Sequence, residues 1–152
     1  MYHIRFAKKE DVEKIAEIEK VSYSAPWSQT AFKFEISKSQ AGESIFVVAV
    51  ADETNEVLGY IMGDKIVDFI HVSNIAVVPT SRKQGIGNAL LSKLEEEALK
   101  LGMSTFTLEV RAVNTSAVNL YKRHGYEEKG RREKYYENKD DAIIMWKKDK
   151  SL

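Results

Sequence analysis

A chain of 152 residues with 43% hydrophobic and 30% charged side chains carries enough apolar material for one core, which excludes a disordered tail and predicts a single domain over residues 1–152. Its 23 basic and 23 acidic residues cancel, so no net field favours nucleic acid or an anionic membrane, and neither is expected as a partner. The lack of cysteine excludes disulfides, thiolate metal sites and a cysteine nucleophile.

Tyr2 to Phe6 alternates and predicts a short strand. Asp11 to Val21 carries Val12, Ile15, Ala16 and Ile18 at helical spacing. A turn, Ala25-Pro26-Trp27-Ser28, follows, with Ser28 placed to cap a second helix that buries Phe32 and Ile36. Ile45 to Val50 is almost continuously apolar, as a strand covered on both faces must be. After a polar turn at residues 52–56, strands are expected at Val57 to Ile66 and Phe69 to Val78, joined as a hairpin and ended by Pro79. The clearest helix sets Ala89, Leu90, Leu94, Ala98 and Leu101 on one stripe and Glu95, Glu96, Glu97 and Lys100 mostly opposite, with Gly102 as its left-handed stop. Thr105 to Val110 reads as a strand and Ser116 to Arg123 as a short helix stopped by Gly125. Tyr126 to Lys129 and Ala142 to Lys147 read as a closing strand pair, with the mixed charges of residues 127–141 as a solvated hairpin. Helices interrupting mainly antiparallel strands give an α+β fold in three layers. The start, Met1 to Arg5, lacks a signal-like apolar run, and the longest apolar stretch, residues 45–51, is too short to span a bilayer. A cytoplasmic location is therefore expected.

Chemistry concentrates at Arg82-Lys83-Gln84-Gly85-Ile86-Gly87, between an apolar strand and the strongest helix. Two glycines let a ligand approach the backbone, a helix start offers N–H groups, and Arg82 and Lys83 add positive charge, which together describe a pyrophosphate cradle. A flexible strand-to-helix turn with exposed basic residues would look the same. The loop lacks the lysine and hydroxyl of a P-loop, and Leu90 stands where a dinucleotide fingerprint needs glycine or alanine. His3, His71 and His124 have no metal-ligand spacing, and no metal is expected.

Arg-x-x-Gly-x-Gly after Ile75-Ala76-Val77 resembles the acetyl-CoA loop of the GNAT acyltransferase superfamily. Asn114-x-x-Ala117-x-x-Leu120-Tyr121-x-x-x-Gly125-Tyr126 resembles that superfamily's later cofactor segment. Pro26-Trp27, Asn74-Ile75-Ala76-Val77, Leu108-Glu109-Val110-Arg111, and Tyr135-Tyr136 before Asp141-Ala142-Ile143-Ile144-Met145 are similar to the RimI-type ribosomal-protein-alanine N-acetyltransferases. The resemblance covers essentially the whole chain. It implies a GNAT-like α/β/α sandwich whose mixed sheet splays between the strands ending at Val77 and Val110. It implies acetyl-CoA as co-substrate, held by Ile75, Ala76, Val77, Arg82, Lys83, Gln84, Gly85, Ile86, Gly87, Asn88 and Asn114. Glu109 would be the base and Tyr121 the acid, in direct attack within a ternary complex on the N-terminus of a small-subunit ribosomal protein, alanine first.

These residue types suit that chemistry. A carboxylate can accept the proton an ammonium must lose, and a phenol of pKa near ~10 can protonate a leaving thiolate. Taken alone, Glu109 reads as an exposed strand carboxylate and Tyr121 as a helix-end packing aromatic, and it is their neighbours in the motifs that reverse this. Trp27, Tyr135 and Tyr136 could line a peptide groove or simply pack, and Arg131-Arg132-x-x-Tyr135 could meet an acidic or aromatic partner. Two other readings remain open. One is a GNAT enzyme acting on a small amine or lysine side chain; the other is a partner subunit that binds acyl-CoA without catalysis.

Overall fold

The computed structural model describes residues 1–136 and 140–149, with Tyr136 described by its backbone alone. Strands and helices alternate as β1 (Tyr2–Phe6), α1 (Val12–Ser22), α2 (Gln29–Gln40), β2 (Ser44–Ala51), β3 (Val57–Ile66), β4 (Phe69–Val77), α3 (Ile86–Lys100), β5 (Thr105–Arg111), α4 (Thr115–Arg123), β6 (Glu127–Tyr136) and β7 (Asp140–Lys148). Single 3-10 turns at Lys9–Asp11 and Pro79–Ser81 precede α1 and α3.

The strands form one seven-stranded sheet in the order β1-β2-β3-β4-β5-β7-β6. Every pairing is antiparallel except β4 with β5. On β2, Ile45, Val47 and Ala49 join the core under α3, while Phe46, Val48 and Val50 join the core under α1 and α2. The strand is apolar throughout because both of its faces are covered. Phe32 and Ile36 of α2 are fully buried, and Ser28 caps that helix by accepting the Ala31 N–H at 3.1 Å. The three-layer α+β sandwich is therefore the architecture the pattern of elements predicted.

The parallel contact is short. It runs from Ile70 opposite Phe106 to Val72 opposite Leu108 and then stops. The cause lies on the other edge of β4, where the register with β3 shifts between Met62 and Gly63 and leaves Ser73 as the extra residue. Such a bulge bends its strand. Beyond it, residues 73–77 follow β3 and diverge from β5, which follows β7 as far as Arg111 opposite Ala142. The sheet opens at its centre, at the level of Glu109.

Three details depart from the sequence expectation. Leu101 is 39% exposed, whereas Glu95 is buried among the apolar residues of α3. Periodicity ranks Glu95 as polar, but it cannot show that Lys147 (2.8 Å) and the Tyr126 hydroxyl (2.9 Å) satisfy this carboxylate inside the core. The first closing strand runs to Tyr136 rather than stopping near Lys129, because β7 supplies a hydrogen-bonding edge for residues of low strand propensity. Finally, α1 begins at Val12, since Asp11 is held by Arg5 at 2.8 and 2.9 Å within the preceding turn.

Candidate active site

Two clefts meet at the opening in the sheet. The first, of about 480 Å³, lies between the end of β4 and the starts of α3 and α4. Ile75, Ala76, Val77, Arg82, Lys83, Gly85, Ile86, Gly87, Asn88 and Asn114 all line it. Gln84 belongs to the same loop but is not on the cleft wall. Ile86 is buried at 1% exposure, so what it presents to the cleft is backbone.

The loop geometry follows from its residues. Lys83 and Gly85 have φ of +65° and +80°, and Gly85 is the N-cap of α3. This left-handed step turns the chain sharply into a helix of 15 residues. The first turn of any helix leaves N–H groups without intrahelical partners, and here they border the cleft together with Lys83. Arg82 braces the loop instead of pointing freely outward: its Nε donates to the Val77 carbonyl at 3.0 Å and a terminal nitrogen reaches Ser22 Oγ at 3.4 Å. A helix N-terminus with open glycines, a cation and an apolar strand beside it fits a pyrophosphate with an attached acyl chain. Asn114 has a second task, capping α4 by accepting the Ala117 N–H at 3.1 Å.

The second cleft, of about 650 Å³, contains Glu109 together with Glu19, Trp27, Asn74, Arg111 and Tyr135. Six residues are common to both clefts: Ser22, Tyr23, Ile75, Asn114, Ala117 and Tyr121. Strand alternation explains how the two connect. Phe106, Leu108 and Val110 of β5 face the α3 core, so Glu109 and Arg111 face the α1 side. Tyr121 comes from α4 on the α3 side, buried at 5% exposure. Only where the strands part can residues of opposite sheet faces line one cavity.

Several residues that build this site carry no motif. Glu19 is 1% exposed and accepts from the Tyr60 hydroxyl, from Asn74 Nδ2 at 2.9 and 3.0 Å, and from the Trp27 N–H at 3.0 Å. It thus ties α1, the turn before α2, β3 and β4 together. Its signal in the sequence was a glutamate four residues after Ile15 on a buried stripe. Tyr23 donates its hydroxyl to the Ile75 carbonyl at 2.6 Å. Burial pushes its phenol up to about 12.

Trp27 stacks on Phe32 with centroids 5.8 Å apart, so it both packs and borders the second cleft. Tyr135 borders the second cleft together with Glu109, whose carboxylate holds the Tyr135 phenol above its ordinary value. The Tyr136 side chain lies outside the described residues. Arg131 and Arg132 are engaged within the chain, Arg131 with Glu128 at 3.0 Å and Arg132 over the Tyr135 ring at 5.4 Å. Among the described residues no cluster of three or more acidic or histidine ligands could hold a metal ion, and no helix is long and apolar enough to cross a membrane.

This arrangement has relatives. The profile of the acetyltransferase (GNAT) family matches residues 12–126. The ribosomal protein bS18-alanine N-acetyltransferase of Escherichia coli strain K12 is 34% identical over 131 residues, 84% of this chain and 84% of that one. The protein of the same name from Haemophilus influenzae is 32% identical over 139 residues, 89% of this chain and 90% of the relative. The crystal structure of the ribosomal-protein-S18-alanine N-acetyltransferase from Escherichia coli is similar with a TM-score of 0.83 and 30% identity, over 100% of this chain and 99% of that one. Ard1 from Thermoplasma volcanium shares the fold at a TM-score of 0.88 and 24% identity, over 97% of each chain. With a splayed sheet, a glycine-capped helix start on the first cleft and this family match in agreement, the chain belongs to the GNAT family and is an acetyl-CoA-dependent N-acetyltransferase.

Proposed function

We propose that the chain acetylates the α-amine of a protein N-terminus, with a ribosomal protein beginning in alanine as the acceptor. The observation that carries this reading is the junction of the two clefts, where Tyr121 lines both and Glu109 lines only the second. The relatives named for ribosomal protein bS18-alanine supply the acceptor class.

Bound acetyl-CoA supplies the acetyl group as a thioester. The first turn of α3 and Lys83 bind its pyrophosphate, and Ile75, Ala76 and Val77 of the diverging strand flank the acyl end. Glu109 accepts the proton that the incoming ammonium must lose. Tyr121, enclosed at the junction, donates a proton to the departing sulfur. Transfer is direct, because no cysteine is present to carry the acyl group.

The choice of amine follows from its acidity. An α-amine has a pKa near ~7.8 and a lysine near ~10.4, so at pH ~7.5 roughly a third of the first is neutral against about one part in a thousand of the second. A single carboxylate has little work to do on an α-amine and much more on lysine. The test is acetyl transfer to an alanine-first peptide with and without an N-terminal block, read by mass. Modification is expected on the free terminus alone, and Glu109→Gln is expected to lower kcat/KM most strongly below the α-amine pKa, where the ammonium form predominates. Equal modification of lysine in the blocked peptide would refute the proposed acceptor and leave the wider acetyltransferase assignment standing.

A further inference from the structure

Strands β6 and β7 pair regularly from Glu127 opposite Trp146, with one shift near Lys129, as far as Arg132 opposite Ala142. Pairing resumes at Tyr136 opposite Asp140, so residues 133–135 stand against Asp141 alone. Surplus residues on one strand form a bulge, and a bulge re-aims the side chains it carries. At its apex Lys134 has φ of +48°, in the left-handed region that a residue with a Cβ disfavours. Something must hold this conformation, and Asp141 is the group that does so. Its Oδ1 accepts the Lys134 N–H at 3.0 Å, and its Oδ2 lies 3.7 Å from Arg131. Its own carbonyl accepts the Ala112 N–H at 2.9 Å, which fixes it to the chain just beyond β5, the strand that carries Glu109.

The next residue after Lys134 is Tyr135. Its ring lies under the Arg132 guanidinium, and it lines the second cleft together with Glu109. Tyr135 follows Lys134 directly, so the left-handed turn at Lys134 sets the direction in which Tyr135 leaves β6.

The geometry points to Asp141 as a positioning residue: by capturing the Lys134 N–H it sets the β6 bulge that directs Tyr135 into the cleft of Glu109, and so fixes how an acceptor amine meets that carboxylate. The inference rests on the reading of Glu109 as proton acceptor. Asp141 touches neither amine nor thioester; it acts through the bulge.

The test compares Asp141→Ala, which removes the acceptor for Lys134, with Asp141→Asn, which keeps an oxygen there and removes the charge facing Arg131. Steady-state kinetics with an alanine-first peptide, calorimetric CoA binding and amide exchange at Lys134 are measured on the whole protein. Asp141→Ala is expected to raise the peptide KM by about tenfold, the worth of one lost hydrogen bond, with CoA affinity unchanged. Asp141→Asn is expected to restore most of the loss. In a Tyr135→Phe background Asp141→Ala is expected to add little, since both changes break one chain of contacts. Equal losses in the two Asp141 variants, or an undiminished loss beside Tyr135→Phe, overturn the proposal. Should wild type leave the peptide unmodified, the proposed acceptor is wrong, and amide exchange decides this inference by itself. Slow exchange at Lys134 in wild type and Asp141→Asn with fast exchange in Asp141→Ala supports it, and no difference overturns it.

Discussion

The rings of Tyr121 and Tyr126 meet with centroids 5.7 Å apart and planes inclined at 60°. Tyr126 is 2% exposed and donates its hydroxyl to Glu95 at 2.9 Å, so the wall against which Tyr121 leans is itself anchored. Packing of Tyr121 therefore depends on its ring. Tyr121→Phe keeps that ring and deletes only the group assigned to protonate sulfur. The expected result is a fall in kcat of on the order of ten- to a thousand-fold with CoA affinity nearly kept, measured by steady-state kinetics beside calorimetric titration. Turnover near wild type with chemistry rate-limiting would assign Tyr121 to packing.

The two loop glycines are expected to fail in different ways. A Cβ on Gly87 would sit 3.6 Å from Leu120 Cδ2 and 4.0 Å from Ile75 Cδ1, which is ordinary contact. Gly87→Val should therefore fold, and its branched side chain should stand over the first turn of α3 and weaken CoA binding by about tenfold or more. Gly85 has open space around it but φ of +80°, so Gly85→Val should also lose about 1–2 kcal/mol of stability. Calorimetric titration and thermal melting of the two variants separate these effects. Full CoA affinity in folded Gly87→Val would place the pyrophosphate elsewhere.

Away from the clefts, Glu35 is 5% exposed and its Oε2 has no hydrogen-bond partner. Lys38 lies 3.3 Å from its other oxygen and 2.8 Å from Asp64. Burial, reinforced by the neighbouring Asp64, pushes the Glu35 carboxyl up to about 7 despite Lys38. The folded protein then holds this proton more tightly than the unfolded chain does. The associated stability is complete below the unfolded pKa near ~4.3 and is lost as pH rises to about 7. Glu35→Gln imitates the protonated form, so its melting temperature relative to wild type should climb between about pH 4 and pH 7 and level off above. A constant difference across that range would show that Glu35 titrates as an exposed carboxylate.

Local chemistry made much of this protein readable in one dimension. Ile45 to Val50 announced a strand buried on both faces, Ser28 announced a helix start, and Gly102 a helix stop with φ of +79°. Each of these signals depends on a residue and its near neighbours, and the order of all eleven strands and helices follows from them. The cofactor loop was legible for the same reason, since its glycines and cations are adjacent in the chain. Other features depend on partners far apart in sequence. Glu19 reaches Tyr60 and Asn74 across 41 and 55 residues, and Glu95 reaches Lys147 across 52. No periodicity can tell such a buried, satisfied carboxylate from a solvated one. The opening between β4 and β5 arises from a bulge defined only by pairing with β3, and the placing of Tyr135 in the cleft of Glu109 from a bulge defined only by pairing with β7. Sequence determined which elements form and which residues bring reactive groups; register between distant strands decided where the sheet opens and which of those groups face one another.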